Sequence, residues 1–228
     1  MIICHSRRFI VFCNPGTGSA PLMRLLAPWQ EEVVVPFAAR GRDTPFYHLM
    51  SPAEAEWTFD ARDLAFRNYR RITLVQNPFT RLQALYLRIA DTDPVWAMRR
   101  RAGLGQPHFC RWVHATRPDG RGAGGRRADR WRMFGSWSAA AWCDGRVTDV
   151  LRTEALAREL PPLLAELGLN PGAPDLSAPQ PQGHWSTTYD TATVQTVAAR
   201  YADDLARFDY DHPGLALPSA MSKMAAGQ

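Results

Sequence analysis

A strand, a glycine-containing turn and a helix follow one another near the start of the chain, and this order constrains the fold more than any other feature. Residues 9–13 (FIVFC) form a continuous apolar run that is typical of a buried strand. Residues 14–18 (NPGTG) are turn formers, and leucines at helical spacing predict a helix over residues 19–29. Such a unit directs backbone N–H groups toward a phosphate.

The same strand–turn–helix order occurs again further along the chain. Residues 71–75 read as a strand, Asn77 and Pro78 as the turn, and residues 79–89 as a helix. We expect the strands of these two units to lie side by side as parallel central strands, with both following helices opening on one cleft.

The remaining segments extend this alternation. A helix over residues 52–64 has Ser51 as its expected N-cap, and a third strand over 147–151 precedes a helix over 154–167, which Pro161 and Pro162 should interrupt. A last helix is expected over residues 190–208. The pattern predicts an α/β, P-loop-like three-layer fold with a central parallel sheet of four or five strands flanked by helices.

Length and composition favour a single domain. The 228 residues, 46% of them hydrophobic, suit one domain over residues 1–212 with a low-complexity tail over 213–228. No apolar run approaches the roughly 18 residues needed to span a bilayer, so we expect a soluble, cytoplasmic protein without a membrane partner. The four cysteines lack metal-ligand spacing, which favours reduced thiols and predicts no metal site.

Arginine dominates the basic residues. The formal net charge is +5, and all but one of the 27 basic residues are arginine. Because a guanidinium donates two parallel hydrogen bonds, this suits a phosphate or sulfate ligand, although ordinary arginine-rich surfaces explain it equally well. The glycine- and arginine-rich loop over residues 117–130 lacks interleaved aromatic residues, so no nucleic-acid partner is expected.

Taken alone, the first turn is compatible with several roles. It has no lysine, so it is not the phosphate loop GxxxxGK[ST], and it does not match GxGxxG. Thr17 and Ser19 could donate to a phosphate or cap the helix, and the turn could also be a tight connection without a ligand.

The second unit adds a family resemblance. Residues 75–86 (VQNPFTRLQALY) are similar to the 3′-phosphate segment of carbohydrate-type sulfotransferases, roughly VRNPxxRLVSAY. In the same order, residues 13–19 resemble the family's 5′-phosphosulfate loop PKTGGTS, and residues 109–113 resemble its aromatic helix. Residues 151–169 and 189–210 resemble its later strand–helix and closing helix, so the likeness covers about residues 9–212.

The resemblance implies transfer of a sulfuryl group from 3′-phosphoadenosine-5′-phosphosulfate (PAPS) to a hydroxyl of a carbohydrate or small molecule, with adenosine 3′,5′-bisphosphate (PAP) as product. Three expected side chains are absent, because the family's lysine, arginine and serine fall on Gly16, Gln76 and Ala84. Weak nucleotide binding is therefore expected. The implied binding residues are Pro15, Gly16, Thr17, Gly18, Ser19, Gln76, Asn77, Arg81 and Ala84.

His48 is the candidate catalytic base, because an imidazole accepts a proton near neutral pH and the position matches the family's segment. A histidine held by a hydrogen bond in a loop is the alternative. Arg152 and Glu154 are expected to form an ion pair at a strand end, and most tryptophans are expected to pack in the core. Two other functions stay open: a non-catalytic nucleotide- or phosphate-binding descendant of the fold, and an enzyme that uses another activated donor.

Overall fold

The computed structural model describes residues 1–105, 108–119, 134–170, 172 and 188–210. The expected tail over 213–228 lies outside these residues, as does most of the 117–130 loop. The strands are β1 (Ile2–Cys4), β2 (Phe9–Phe12), β3 (Arg70–Val75) and β4 (Asp149–Arg152). The helices are α1 (Ala20–Leu26), α2 (Pro52–Asp60), α3 (Pro78–Thr92), α4 (Pro94–Arg101), α5 (Phe109–Ala115), α6 (Ala139–Trp142), α7 (Leu156–Glu166), α8 (Thr191–Arg200) and α9 (Ala202–Arg207).

The four described strands form one sheet in the order β1-β2-β3-β4. β2 pairs with β3 in parallel, with Phe9 opposite Arg70, and β3 pairs with β4 in parallel. The expected parallel neighbours are therefore confirmed, as is the α/β fold class. β1 is an antiparallel edge strand that the sequence reading missed, because three residues are too few to show a periodicity.

Helices cover both faces of the sheet. Along β2, Phe9 and Val11 pack in a cluster with leucines of α1 and α7, whereas Ile10 and Phe12 pack with Phe59 of α2 on the opposite face. This alternation follows from the two-residue period of a strand, and it produces the three layers.

The aromatic helix α5 packs against α3, away from the sheet. Phe109 and Trp112 lie in one cluster with Tyr86 of α3 and with Tyr201 at the junction of α8 and α9. The ring centroids of Tyr86 and Phe109 are 5.1 Å apart in an edge-to-face arrangement. This cluster holds α3 in place, and α3 is the helix that lies beside the first turn.

Two helix predictions need correction. α7 continues through Pro161 and Pro162, although a proline has no N–H and so leaves the carbonyl four residues earlier without its helix hydrogen bond. The prolines are tolerated because they are solvent-exposed and because the two residues that carry those carbonyls, Ala157 and Arg158, are exposed to water. The closing helix is divided at Tyr201 into α8 and α9. The predicted cap of α2 is confirmed, since the Ser51 side chain accepts from the Glu54 N–H in a capping box.

No helix in the described parts of the chain is long and apolar enough to cross a membrane.

All four cysteines are free thiols, and three of them are buried. Burial raises the pKa of Cys143 to about 12, which is the behaviour of an inert core thiol.

Candidate functional site

The turn after β2 adopts a conformation that requires glycine at two positions. Gly16 has φ +81° and Gly18 has φ +66°, both in the left-handed region that L side chains disfavour. A Cβ added at Gly16 would also lie 3.4 Å from Cγ of Arg81. That distance is an ordinary van der Waals contact, so it is the backbone angle that opposes a lysine at position 16.

Buried polar side chains hold this turn from beneath. The Thr17 hydroxyl donates to the Asn14 carbonyl at 2.7 Å, so Thr17 is directed into the protein rather than toward solvent. The Thr153 hydroxyl, just after β4, lies 2.6 Å from the Thr17 carbonyl oxygen and 3.0 Å from that of Val75. The Thr153 hydroxyl thus links the turn to the carboxyl ends of β3 and β4.

Arg81 is the main anchor of the turn. Its Nε donates to the Pro15 carbonyl at 3.1 Å, and its Nη2 donates to Oδ1 of Asn14 at 2.8 Å. The other contacts are with the Trp137 carbonyl at 2.9 Å and the Phe134 carbonyl at 3.1 Å. Arg81 is 3% exposed, and this burial lowers its pKa. The guanidinium expected to bind phosphate thus directs four hydrogen bonds to protein acceptors.

Residues 134–142, which receive two of those bonds, are themselves held by the closing helices. The Tyr201 hydroxyl donates to the Ser136 carbonyl at 2.7 Å. The buried carboxylate of Asp204 accepts from the backbone N–H groups of Ala139 and Ala140, both at 2.8 Å. The carboxy-terminal segment therefore positions the turn through Arg81.

A cleft of about 510 Å³ opens above the turn. It brings together five of the expected site residues: Pro15, Gly16, Gly18, Ser19 and Ala84. The other five lie outside its described lining: Thr17, His48, Gln76, Asn77 and Arg81. Among the described residues, no acceptor receives a hydrogen bond from the backbone N–H of Gly16, Gly18 or Ser19. These donors face no competition from protein groups for an anionic ligand.

The two residues after β3 differ in their side-chain contacts. Gln76 is 5% exposed, and its Oε1 atom has no hydrogen-bond partner in the described structure. Asn77 caps α3 by accepting from the Phe79 N–H at 3.0 Å, while its own N–H donates to Glu154 at 2.9 Å. In this arrangement the Asn77 side chain acts as the N-cap of α3.

The expected ion pair between Arg152 and Glu154 is not formed. Arg152 instead pairs with Glu159 at 3.0 Å, because Glu159 on the first turns of α7 points back toward the end of β4. Glu154 receives the Tyr210 hydroxyl at 3.1 Å as well as the Asn77 N–H. The Glu154 carboxylate therefore joins the turn after β3 to the carboxy-terminal segment.

Arg88 is a cleft residue that sequence reasoning missed. It lies four positions after Ala84 on α3, and both residues line the cleft together with Leu49 and Leu85. Residues four apart share a helix face, so this spacing was the signal that could have identified Arg88. The described lining contains no Asp or Glu, so the charge of the cleft in the described structure is the positive charge of Arg88.

His48 lies at the edge of the cleft rather than in it. Its ring is exposed, its backbone N–H donates to the Val35 carbonyl at 2.9 Å, and the next residue, Leu49, has φ +62° and lines the cleft. Partial desolvation lowers the pKa of His48 below its ordinary 6.5. The imidazole is therefore neutral at physiological pH and able to accept a proton.

No group of three His, Cys, Asp or Glu side chains placed to hold a metal ion occurs in the described part of the chain. The tryptophans expected to pack in the core do so where the structure describes them: Trp112 and Trp142 are buried, and Trp96 and Trp137 are partly buried against hydrophobic clusters. Trp131 and Trp185 lie outside the described residues.

Comparison with known proteins gives no family assignment. No family model matches the chain, and no curated protein matches it. A sulfotransferase of known structure from Alicyclobacillus acidocaldarius is similar to it at 16% sequence identity and a TM-score of 0.41, over 92% of this chain and 82% of that chain. Because a likeness at this level carries no functional argument, the case for function rests on the cleft itself.

Proposed function

We propose that this chain is a sulfotransferase-like protein that binds PAPS in the cleft above residues 14–19 and transfers its sulfuryl group to a hydroxyl of a carbohydrate or other small acceptor. The supporting observation is the joint formation of one cleft by the turn after β2 and by α3, the helix after the adjacent parallel strand. The carboxyl ends of parallel strands are the usual place for nucleotides in α/β folds.

The donor's phosphate groups would be held by backbone and by one arginine. The N–H groups of Gly16, Gly18 and Ser19 would supply neutral donors, and Arg88 of the cleft lining would supply a positive charge. Arg81 contributes indirectly, by fixing the turn through the Pro15 carbonyl and the Asn14 side chain. Since Gln76 and Ala84 provide no charge, we expect PAP to bind at tens of micromolar or weaker, given about 1.5–3 kcal/mol per lost charge-assisted hydrogen bond.

In the proposed reaction the acceptor oxygen attacks the sulfur atom. A new oxygen–sulfur bond forms while the bond from sulfur to the bridging phosphate oxygen breaks, so that PAP leaves with the electron pair. The hydroxyl proton passes to His48, whose lowered pKa keeps its ring unprotonated at pH 7. The positive charge near the leaving phosphate would come from Arg88.

A second candidate function is binding without catalysis. Two observations favour it: position 16 is a glycine in a conformation that resists lysine, and the buried guanidinium of Arg81 is engaged by protein acceptors. Such a protein would retain the backbone N–H cradle for a phosphorylated ligand but lack the side-chain charge that stabilises the transition state.

The deciding experiment combines PAP titration calorimetry with transfer of ³⁵S-sulfate from PAPS to a pool of hydroxylated acceptors. We expect His48→Ala to abolish transfer while leaving PAP affinity within about twofold, since a general base acts in the transition state. The matched control is His108→Ala, an exposed histidine at the start of α5, which should change neither quantity.

Each outcome has a definite meaning. PAP binding without transfer to any acceptor would favour the non-catalytic function. Transfer that survives His48→Ala would remove His48 from the mechanism, and absence of PAP binding at millimolar concentration would overturn the sulfotransferase function and exclude PAP as the ligand of the non-catalytic one.

A further inference from the structure

A second pocket, separate in its lining from the cleft above residues 14–19, lies between residues 40–50 and α2. Its volume is about 660 Å³, within the roughly 300–1,000 Å³ typical of small-ligand sites. Tyr47, Met50 and Trp57 provide apolar surface, and Trp57 is 74% exposed although Tyr47 and Met50 are buried. An indole exposed at the wall of a pocket is available to stack on a ligand.

The charges around this pocket are mainly positive. Arg40, Arg42 and Arg62 line it and Glu54 is the acidic residue of its described lining, so three positive charges less one negative charge give +2. The Glu54 carboxylate already accepts from the Ser51 N–H at 2.8 Å and from the Ser51 hydroxyl at 2.7 Å. The Glu54 carboxylate keeps its negative charge, and the three arginines outweigh it in the charge that a ligand would meet.

The three arginines are arranged differently. Arg40 stacks over the Phe37 ring at 3.7 Å and donates to the Phe37 carbonyl at 2.8 Å, which fixes its guanidinium. Arg62 lies 3.9 Å from the Glu32 carboxylate, a loose ion pair. In the part of the chain that the structure describes, Arg42 has neither a hydrogen bond nor an ion pair through its side chain. A carboxylate or sulfate in the pocket would give Arg42 a partner.

We propose that this pocket binds an acidic saccharide, that is, a sugar carrying carboxylate or sulfate groups. The Trp57 indole stacks on the apolar face of a sugar ring, and the arginines bind its anionic groups through paired hydrogen bonds. A neutral sugar would leave the arginine charges unused, and a purely apolar ligand would leave them partly desolvated without compensation.

Its position makes this pocket the acceptor site, a step that rests on the proposed function. Tyr47 lines the acidic-saccharide pocket, Leu49 lines the donor cleft, and His48 is the residue between them in the chain. Since consecutive Cα atoms are about 3.8 Å apart, the two linings approach within about 8 Å at this point. The candidate base thus belongs to the chain segment that contributes to both linings, and this proximity is the basis for assigning the acceptor to this pocket.

The test measures saccharide binding without any donor. Calorimetry at low salt compares trigalacturonate with maltotriose, a neutral trisaccharide of similar size. We expect trigalacturonate to bind at least tenfold more tightly, and Trp57→Ala and Arg42→Ala each to weaken it by about tenfold. Met98→Ala and Arg24→Ala, matched exposed residues outside the pocket, should leave it unchanged. Equal affinity for the two saccharides, unchanged binding by both pocket variants, or no binding at millimolar concentration would overturn the proposal.

A parallel arm with labelled PAPS separates this inference from the proposed function. Trigalacturonate that binds through Trp57 and Arg42 but receives no label would support the pocket and count against transfer. Neutral acceptors that are labelled equally well by the Trp57→Ala protein would support transfer and overturn the acceptor site. A short oligothymidylate that binds more tightly than trigalacturonate would overturn the saccharide as the ligand class.

Discussion

Replacing Arg81 with alanine tests whether this residue anchors the turn or binds a ligand. Its guanidinium makes four hydrogen bonds, to the carbonyls of Pro15, Phe134 and Trp137 and to the side chain of Asn14. At a net contribution of about 1 kcal/mol for each hydrogen bond, their loss would destabilise the fold by about 4 kcal/mol. That is a large share of the roughly 5–15 kcal/mol that stabilises a domain.

Urea unfolding followed by tryptophan fluorescence measures this loss. With a slope of about 2–3 kcal/mol per molar urea, Arg81→Ala should lower the midpoint by about 1.3–2 M. Arg81→Lys should lower the unfolding free energy by less than Arg81→Ala, because an ammonium keeps the charge and some of the hydrogen bonds. It should still be less stable than the parent protein, because an ammonium cannot reach four separated acceptors. The control is Arg24→Ala, an exposed arginine on α1, for which a change within about 0.5 kcal/mol is expected.

One result for the Arg81→Ala protein would contradict the role of Arg81 as an anchor. Suppose that Arg81→Ala unfolds within about 0.3 M urea of the parent protein and yet loses PAP binding. Arg81 would then be a ligand residue, as the family resemblance implied, and the four protein contacts would contribute little to stability.

Three further predictions concern other residues. Gly16→Lys should lower the unfolding free energy by about 1–2 kcal/mol, because L residues resist φ +81°; a urea midpoint equal to that of the parent would contradict this. Replacing Pro161 and Pro162 together with alanine should raise the melting temperature, since two helix hydrogen bonds are restored in α7, and a lower melting temperature would show that the prolines fit the helix without strain. The NMR titration midpoint of His48 should lie below pH 6.5. Because the His48 ring then binds a proton more readily in the unfolded chain than in the folded one, its contribution should lower the unfolding free energy as the pH falls through 6.5 toward that midpoint. A midpoint above 6.5 would contradict the lowered pKa.

The local order of elements was predictable from the sequence because it depends on short-range periodicity. The apolar run of β2, the capping residue Ser51 and the turn glycines identified a strand, a helix start and a turn correctly. The parallel pairing of β2 with β3 also followed, because connections between successive strand–helix units have a preferred hand. The prediction that Pro161 and Pro162 interrupt the helix was wrong, because a proline pair usually ends a helix but is tolerated in this turn, which is exposed to solvent.

The tertiary structure decided what each polar side chain does. Arg81 looked like a phosphate ligand in sequence, yet its acceptors Pro15 and Trp137 are 66 and 56 residues away along the chain. Arg88 belongs to no motif and had only its four-residue spacing from Ala84 as a signal, and Trp57 had none; both have candidate roles because folding places them in the linings of two pockets. Periodicity is a property of neighbouring residues, whereas the partners of a guanidinium or an indole are set by segments that meet only after the sheet and its covering helices have packed.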